Sequence, residues 1–267
     1  MRRKLATLFI VAAVGALLPA SAALAQTTNS VSVLHGIPGL TVDVYVNGDL
    51  TIPNFEFEMM AGPLELPDGD YEIEIFAAGA DPSVDSPALA TGAPGIAVAG
   101  GINATIVAHL NEGGDPTLSV FVNDISTIAA GEARVTVNHT AAAPAVDVLA
   151  NDAVLLPNIA NGAGQGADVP AATYNVKVVP TGATDPVVFE TDLPLAEGAN
   201  TIVHAIGDLA GGTFTVAVQS ITGLGAAPTG VPTGDAGLAT SAMAAWMIAA
   251  LGLAFVGTTA GLAIRNR

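Results

Sequence analysis

The residues best suited to chemistry in this sequence are two histidine–aspartate motifs with the same internal spacing. His35 precedes Asp43 within VLHGIPGLTVDVYVNG, and His139 precedes Asp147 within VNHTAAAPAVDVLAND. An imidazole beside a carboxylate could act as a general base or contribute to a metal site. The same groups could instead be structural, with the histidine bonded to the carboxylate or to a backbone carbonyl so that it fixes the first loop.

The small number of residues that could bind a metal favours the structural interpretation. A closed zinc site needs four ligands and a catalytic one usually three, whereas the chain has four histidines and no cysteine. The other two histidines, His109 and His204, fall out of register when their similar flanking segments are aligned, and we expect both on strand faces. We therefore predict no catalytic, cofactor-binding or metal-binding residue.

Acidic loops keep calcium open as an alternative partner. Asp68 and Asp70 flank Gly69, and Asp81 and Asp85 lie in GADPSVDSP. Neither group has the spacing of a twelve-residue calcium loop that ends in a glutamate ligand. Turn formation is the interpretation that we favour for these carboxylates.

The sequence contains no motif for nucleophilic catalysis. No G-x-S-x-G pattern occurs, so a serine nucleophile at a strand-to-helix turn is not indicated. A hydrolase with paired carboxylates is the least favoured alternative, because abundant surface acids do not amount to a pair in a cleft.

The elements that must position these residues are duplicated. The His35 motif recurs 104 residues later as the His139 motif, LPDGDYEIEIF matches VPAATYNVKVV, and NATIVAHL matches ANTIVHAI. Two modules are predicted, at residues 26–126 and 133–222, each of ordinary domain size.

Hydrophobic periodicity predicts strands in both modules. Val42, Val44 and Val46 alternate with polar or aromatic residues, and turn sequences such as PDGD and EGGDP follow at short intervals. A period of two indicates half-buried antiparallel strands, and many short strands without helices indicate a β-sandwich. The predicted fold class is all-β, with two tandem antiparallel β-sandwich domains.

The first motif resembles the hallmark of the bacterial family called domain of unknown function 4397. That hallmark reads V-x-V-x-H-A-S-P-D-A-P-x-V-D-V-Y-V. In the first module the matching residues are Val31, Val33, His35, Pro38, Val42, Asp43, Val44, Tyr45, Val46, Asn47 and Gly48. In the second they are Val135, Val137, His139, Pro144, Val146, Asp147 and Val148, while Leu149 replaces the tyrosine. The resemblance implies exported, often tandem, immunoglobulin-like or transthyretin-like modules on bacterial cell surfaces, and it implies no established activity.

Both ends of the chain carry targeting features. The start, MRRKLATLFIVAAVGALLPASAALAQ, has three basic residues, an apolar run and an A-x-A end, which predicts a signal peptide at residues 1–25. Residues 238–264 contain no charge and predict a transmembrane helix, followed by a basic cytoplasmic end at 265–267. Residues 223–237 are predicted to form a Gly/Pro/Thr stalk. Their AAPTGVPTGD is similar to a sortase sorting signal, so cell-wall attachment is an alternative to a permanent anchor.

The charge distribution excludes one class of partner. All 24 Asp and Glu residues lie between Asp43 and Asp235, against only Arg134 and Lys177 there. Such an acidic surface repels nucleic acid and anionic lipid, so we expect no nucleic-acid partner.

These patterns together predict a membrane-anchored bacterial cell-surface protein. It is predicted to be single-pass, with an extracellular N-terminal part, no enzymatic activity, and a binding, adhesive or structural role in the envelope. Its partners are predicted to be the membrane, through the C-terminal helix, and an envelope polysaccharide or protein. The alternatives are a calcium- or glycan-binding receptor module and an extracellular hydrolase.

Overall fold

The computed structural model describes residues 28–226, and this part of the chain folds as β-structure. It forms eighteen strands and no helix, which confirms the all-β prediction. Within the described range no helix is long and apolar enough to cross a bilayer. The predicted signal peptide, the predicted membrane helix and residues 227–237 of the predicted stalk lie outside the described residues.

The first ten strands form the N-terminal sheet group. Their bounds are β1 (Thr28–His35), β2 (Val42–Val46), β3 (Asp49–Phe55), β4 (Met60–Pro67), β5 (Gly69–Tyr71), β6 (Ile73–Ala77), β7 (Leu89–Ala90), β8 (Ile96–Val98), β9 (Asn103–Leu110) and β10 (Pro116–Val122). They build two four-stranded sheets, in the orders β10-β9-β1-β4 and β3-β2-β6-β7, and the small pair β5-β8.

The last eight strands form the C-terminal sheet group. Their bounds are β11 (Glu132–His139), β12 (Val146–Ala150), β13 (Ala153–Ile159), β14 (Ala163–Pro170), β15 (Thr173–Pro180), β16 (Phe189–Pro194), β17 (Asn200–Ile206) and β18 (Thr215–Ile221). Their sheets have the orders β14-β11-β17-β18 and β13-β12-β15-β16. Strand for strand, these orders reproduce the four-stranded sheets of the N-terminal group.

The strands are not all antiparallel, which corrects the prediction from the sequence. β1 pairs with β9 in parallel, and β11 pairs with β17 in parallel. A tight hairpin forces antiparallel pairing, whereas parallel neighbours need a long crossover. In each group the chain passes through the opposite sheet between the two parallel strands, so no hairpin fixes their relative direction.

Alternating valines build the core of the N-terminal group. Val33 and Ile106 from one four-stranded sheet meet Val44 and Ile75 from the other, and all four are buried. The predicted alternation is incomplete, because Asp43, which lies between two core valines, is also buried. Its carboxylate is bonded to the backbone of β3 and of the loop after β6.

The two groups pack against each other through the sheets that contain β1 and β11. Leu34, Val107 and Ile206 are fully buried where these sheets meet, and Phe121 packs against them. Gln219 bridges the groups through hydrogen bonds with Thr105 Oγ1 at 2.8 Å and Ser32 Oγ at 3.3 Å. The contact therefore combines an apolar centre with paired polar groups.

The junction between the groups also receives the end of the described chain. Ile128 is fully buried, and it exchanges backbone hydrogen bonds with Leu224 at 2.8 Å and Ala226 at 2.9 Å. The first residues of the predicted stalk are therefore bonded to the segment that connects the two groups.

The contact between the groups makes a testable contribution to stability. Leu34→Ala removes a side chain that is fully buried between them, and we expect the free energy of unfolding to fall by about 2–5 kcal/mol. Leu50→Ala is the matched control, because Leu50 is 49% exposed and its loss should cost at most about 0.5 kcal/mol. Urea denaturation followed by circular dichroism measures both, and equal effects would contradict the packing described here.

Candidate functional site

The histidine of each motif bonds to the backbone of the loop that follows it. His35 Nε2 donates to the Leu40 carbonyl oxygen at 2.8 Å, and His139 Nε2 donates to the Pro144 carbonyl oxygen at 3.0 Å. Both rings are buried, so their desolvation lowers both pKa values. Each neutral ring closes the loop between the first two strands of its sheet group.

The aspartate of each motif binds two backbone amides instead of the histidine. Asp43 accepts from the Asn54 N–H at 2.8 Å and the Gly79 N–H at 2.9 Å. Asp147 accepts in the same way from the Asn158 N–H at 2.7 Å and the Gly182 N–H at 2.9 Å. Hydrogen bonds from Gly182 and then Asn158 lower the pKa of Asp147. Each carboxylate thus joins its own strand to two other segments of the same sheet.

A β-bulge explains why a carboxylate is needed at this position. The register between β2 and β3 shifts between Val42 and Val44, on either side of Asp43. Asn54, on the opposite strand, has a φ of 51°. A bulge leaves a residue outside the regular ladder, and here the Asp43 carboxylate accepts the N–H of Asn54. The C-terminal group has the same register shift around Asp147.

The histidine and the aspartate of each motif bond to different partners. Neither histidine is bonded or ion-paired to its aspartate within residues 28–226. The structure supports the version of the structural interpretation in which the histidine bonds to a backbone carbonyl. Among the described residues, no group of three or more His, Asp and Glu side chains is arranged to hold a metal ion.

Sequence reasoning missed the backbone partners of the aspartates. The signal was present, because the Pro-Asn dipeptide at 53–54 recurs at 157–158 with the same 104-residue interval. Tyr71 and Tyr174, which the repeat had matched, are also equivalent in structure. Their hydroxyl groups donate to the carbonyl oxygens of Pro67 at 2.8 Å and Pro170 at 2.9 Å.

The acidic loops considered for calcium hold turns in the structure. Asp68 Oδ1 accepts from Asn29 Nδ2 at 2.9 Å. Asp81 Oδ1 accepts from the Ser83 N–H at 3.0 Å and its hydroxyl at 2.7 Å, while Asp85 Oδ2 accepts from the Asp81 N–H at 2.8 Å. These bonds agree with the turn-forming role that the sequence favoured.

His109 and His204 occupy non-equivalent strand positions. His109 follows the residue that pairs with His35, whereas His204 precedes the residue that pairs with His139. Both nevertheless lie where the two sheet groups meet, and both are fully buried.

The surroundings of these two histidines keep them neutral. His109 Nε2 is hydrogen-bonded to Ser119 Oγ at 2.8 Å. His204 Nδ1 accepts from Asn138 Nδ2 at 3.3 Å, the ring lies 6.3 Å from that of Phe121, and its Nε2 has no partner among the described residues. Burial lowers the pKa of His109, and it lowers that of His204 to about 4.

A cleft of about 590 Å³ lies between the two sheet groups. The end of β10 and the residues after it form one wall, and the outward faces of β11 and β14 form the floor. Its lining residues are Val120, Phe121, Val122, Asn123, Asp124, Arg134, Thr136, Asn138, Gly164, Gln165, Gly166, Ala167 and Asp168. Neither sheet group forms this cleft alone.

Arg134 closes one end of the cleft through a network of ion pairs. Its Nε and Nη2 atoms donate to the two carboxylate oxygens of Asp168 at 2.7 and 2.9 Å, and its Nη1 lies 2.9 Å from Asp124 Oδ1. The bond to Asp168 raises the pKa of Arg134. The guanidinium is fully engaged, so the exposed charges at this end are the two carboxylates.

The fold and the motifs define an all-β protein whose repeated histidines and aspartates hold loop and bulge backbones in two stacked sheet groups. Residues 29–149 match the family described as Domain of unknown function (DUF4397), which confirms the resemblance found in the first motif. The match spans β1 to β11 and ends within β12. No curated protein matches the sequence.

The bulge carboxylates lead to a prediction on stability. Asp43→Asn or Asp147→Asn removes one of two acceptor oxygens and places an NH₂ group against a backbone N–H. We expect each variant to lower the free energy of unfolding by about 1–3 kcal/mol. The control is Asp152→Asn, whose carboxylate is 78% exposed and pairs only with Lys177, and it should cost at most about 1 kcal/mol. Urea denaturation measures all three, and a control as damaging as the bulge variants would contradict this role.

The buried histidines predict a loss of stability in mild acid. The pKa of His204 is about 4 in the folded chain and about 6.5 in the unfolded chain, so protonation favours unfolding. The contribution of the neutral ring is complete above the unfolded pKa and is lost as the pH falls towards 4, by about 3 kcal/mol.

The His204→Gln variant isolates that contribution. Its free energy of unfolding should vary less than that of the parent chain between pH 6.5 and pH 4, while a difference at neutral pH reports packing alone. Denaturation curves at a series of pH values measure this, and identical slopes for parent and variant would contradict the assignment to His204.

Proposed function

We propose that this protein is a non-catalytic recognition protein of the bacterial cell surface. In this proposal two tandem modules of immunoglobulin-like or transthyretin-like kind are displayed outside the membrane, and the predicted helix at residues 238–264 anchors them. The cleft between β10 and β14 is the binding region. The observation that carries the proposal is that both sheet groups contribute to one cleft of about 590 Å³, a volume typical of ligand sites.

The use of the chemical groups supports a recognition role. The histidines and aspartates of both motifs are bonded to loop and bulge backbones, which makes them part of the scaffold. Such a scaffold holds the edges of the cleft at fixed positions, and rigid elements position binding groups more precisely than loops do. The sequence features at the two ends support export and anchoring.

A structural spacer is the second candidate. The sheets of the two groups pack face to face through the fully buried cluster of Leu34, Val107 and Ile206, as a stiff spacer would require. A spacer needs no ligand, so binding at the cleft separates the two candidates. Calcium or glycan recognition and hydrolysis remain the less favoured alternatives.

The first test is binding of envelope material by the intact chain in detergent. Envelope fractions and polysaccharides are titrated against the parent chain and against Val122→Trp, with calcium and with chelator. Val122 lines the cleft and is 66% exposed, so the indole should block the cleft and weaken binding. Val218→Trp is the control, because Val218 is 55% exposed on β18, outside the cleft.

The outcomes assign the function. Saturable binding that Val122→Trp weakens at least about tenfold, and Val218→Trp does not, supports recognition at the cleft. Binding lost under chelator in both backgrounds would move the function to the acidic loops. No binding in any condition leaves the spacer and overturns the proposal.

A further inference from the structure

The wall of the cleft is the free edge of a sheet. β10 is the last strand of its sheet, and its register with β9 is regular. Asn123 donates to the Asn103 carbonyl at 2.8 Å within that register, so the odd-numbered residues of β10 exchange hydrogen bonds with β9. Backbone groups alternate in direction along an antiparallel strand. The N–H and C=O groups of Leu118, Val120 and Val122 therefore point away from the sheet.

The floor of the cleft has a second free edge and almost no side chains. β14 ends its own sheet order, and the bond from the Ala171 N–H to the Gly131 carbonyl at 2.9 Å continues its register with β11. By the same alternation, Gly164 and Gly166 direct their N–H and C=O groups to the free edge. A Cβ atom at Gly166 would lie 2.9 Å from Thr136 Oγ1. Glycine therefore leaves space above this part of the floor.

These two edges lack the usual protection against strand addition. Proteins commonly protect sheet edges with bulges, lysines or very short strands. The pairings of β3, β4 and β13 contain register shifts, and β7 has two residues. β10 and β14 have seven and eight residues, regular registers and no lysine. The edge strands β16 and β18 also have regular registers and no lysine, but β10 and β14 are the two edges that meet at the cleft.

The side chains under the cleft are already hydrogen-bonded. Thr136 Oγ1 donates to Asn200 Oδ1 at 3.0 Å, and Asn138 Nδ2 donates to His204 at 3.3 Å. Asn123 Nδ2 donates to Asn103 Oδ1 at 2.7 Å. A glycan is recognised largely through side-chain amides and carboxylates, but the amide nitrogens of Asn123 and Asn138 are occupied here, and Asn123 Oδ1, which has no partner among the described residues, is buried. The groups left for a ligand are the exposed carboxylates of Asp124 and Asp168 and the backbone of the two edges.

We propose that the cleft binds an extended cationic peptide, which adds as a strand to the free edge of β10 and lies over the glycine floor of β14. The proposal rests on the proposed function and names its partner class. Main-chain hydrogen bonds supply the affinity in strand addition, and alternate side chains supply the specificity. Large side chains on the peptide face that points to Gly164 and Gly166 would fill the space that these glycines leave.

Charge complementarity selects a cationic peptide over other strands. The carboxylates of Asp124 and Asp168 are 58% and 34% exposed at the end of the cleft, and only Arg134 offsets them. Between Asp43 and Asp235 the chain has 24 acidic residues against Arg134 and Lys177. A second copy of this chain would bring the same acidic surface, so it fits less well than a basic partner.

A matched set of synthetic peptides tests the binding mode. The probe is a capped, dye-labelled peptide of about eight residues, the length of an ordinary strand, with alternating lysine and valine. In one control peptide, N-methyl groups replace the hydrogens of alternate backbone nitrogens, so that one edge of the extended peptide loses its donors. In a second control, the remaining nitrogens are methylated, so that the other edge loses its donors. A third replaces lysine by glutamate. Fluorescence anisotropy with the intact chain in detergent measures the dissociation constants.

Strand addition predicts a specific order of affinities. The unmethylated cationic peptide binds, methylation of one edge but not the other weakens binding about tenfold or more because donors are lost, and the glutamate peptide does not bind. Equal binding of all methylated peptides would overturn the proposal, since charge alone would then explain the affinity. Absence of binding by the cationic peptide would overturn it as well.

A pair of proline variants tests the edge of the protein. Val120→Pro removes an N–H that points to the free edge of β10 and should weaken peptide binding about tenfold. Val218→Pro is the control, because the bond from the Thr213 N–H to the Asp208 carbonyl places residue 218 at the free edge of β18 in the same way. If Val120→Pro fails to fold by circular dichroism, the methylated peptides decide.

The outcome also distinguishes this proposal from the function on which it rests. If envelope polysaccharide binds, Val122→Trp abolishes that binding, and no peptide competes, recognition at the cleft stands and strand addition is wrong. If Val122→Trp leaves all binding unchanged, both proposals fail.

Discussion

Each sheet group depends on one carboxylate that accepts two backbone N–H groups. A bulge bends a strand and leaves an amide outside the ladder, and an unpaired buried amide costs about as much as a lost hydrogen bond. One oxygen of Asp43 or Asp147 accepts the hydrogen bond of that amide. The second oxygen accepts from an amide in the loop after the third strand of the same sheet. Aspartate suits this position because both oxygens of its carboxylate can accept a hydrogen bond. The bulge, the loop and the strand pairing are therefore fixed together.

These backbone hydrogen bonds also explain why histidine and aspartate occur in one motif without bonding to each other. His35 and Asp43 are close in sequence, yet their hydrogen bonds run to different loops. An imidazole held neutral by burial and donating to a carbonyl fixes the geometry of its loop. Unused backbone hydrogen-bonding groups lie instead at free sheet edges such as that of β10. In the proposed function, recognition would use these backbone groups, while the side chains of the motifs hold the scaffold.

Much of this structure followed from the sequence, and the reasons for the rest are physical. Alternation and turn residues were sufficient for the β class, and the internal repeat matched Tyr71 with Tyr174, which make the same hydrogen bond. The parallel pairing of β1 with β9 was missed because direction in a sheet depends on the whole connection rather than on any local pattern. The bulge partners were missed because an Asn-bearing turn and a bulge look alike in sequence. The cleft was missed because its wall at the end of β10 and the glycines of its floor in β14 are distant in sequence and meet only when the groups stack.

The cleft exists only because the two sheet groups stack on each other. It is bounded by β10, an edge strand of the N-terminal group, and by β14, an edge strand of the C-terminal group, so it lies at the junction and in neither repeat alone. A single repeat would have none, and a row of repeats stacked in this manner would have one fewer cleft than repeats. Duplication of the unit is then the step that creates the cleft, and a longer array would gain one cleft with each added copy.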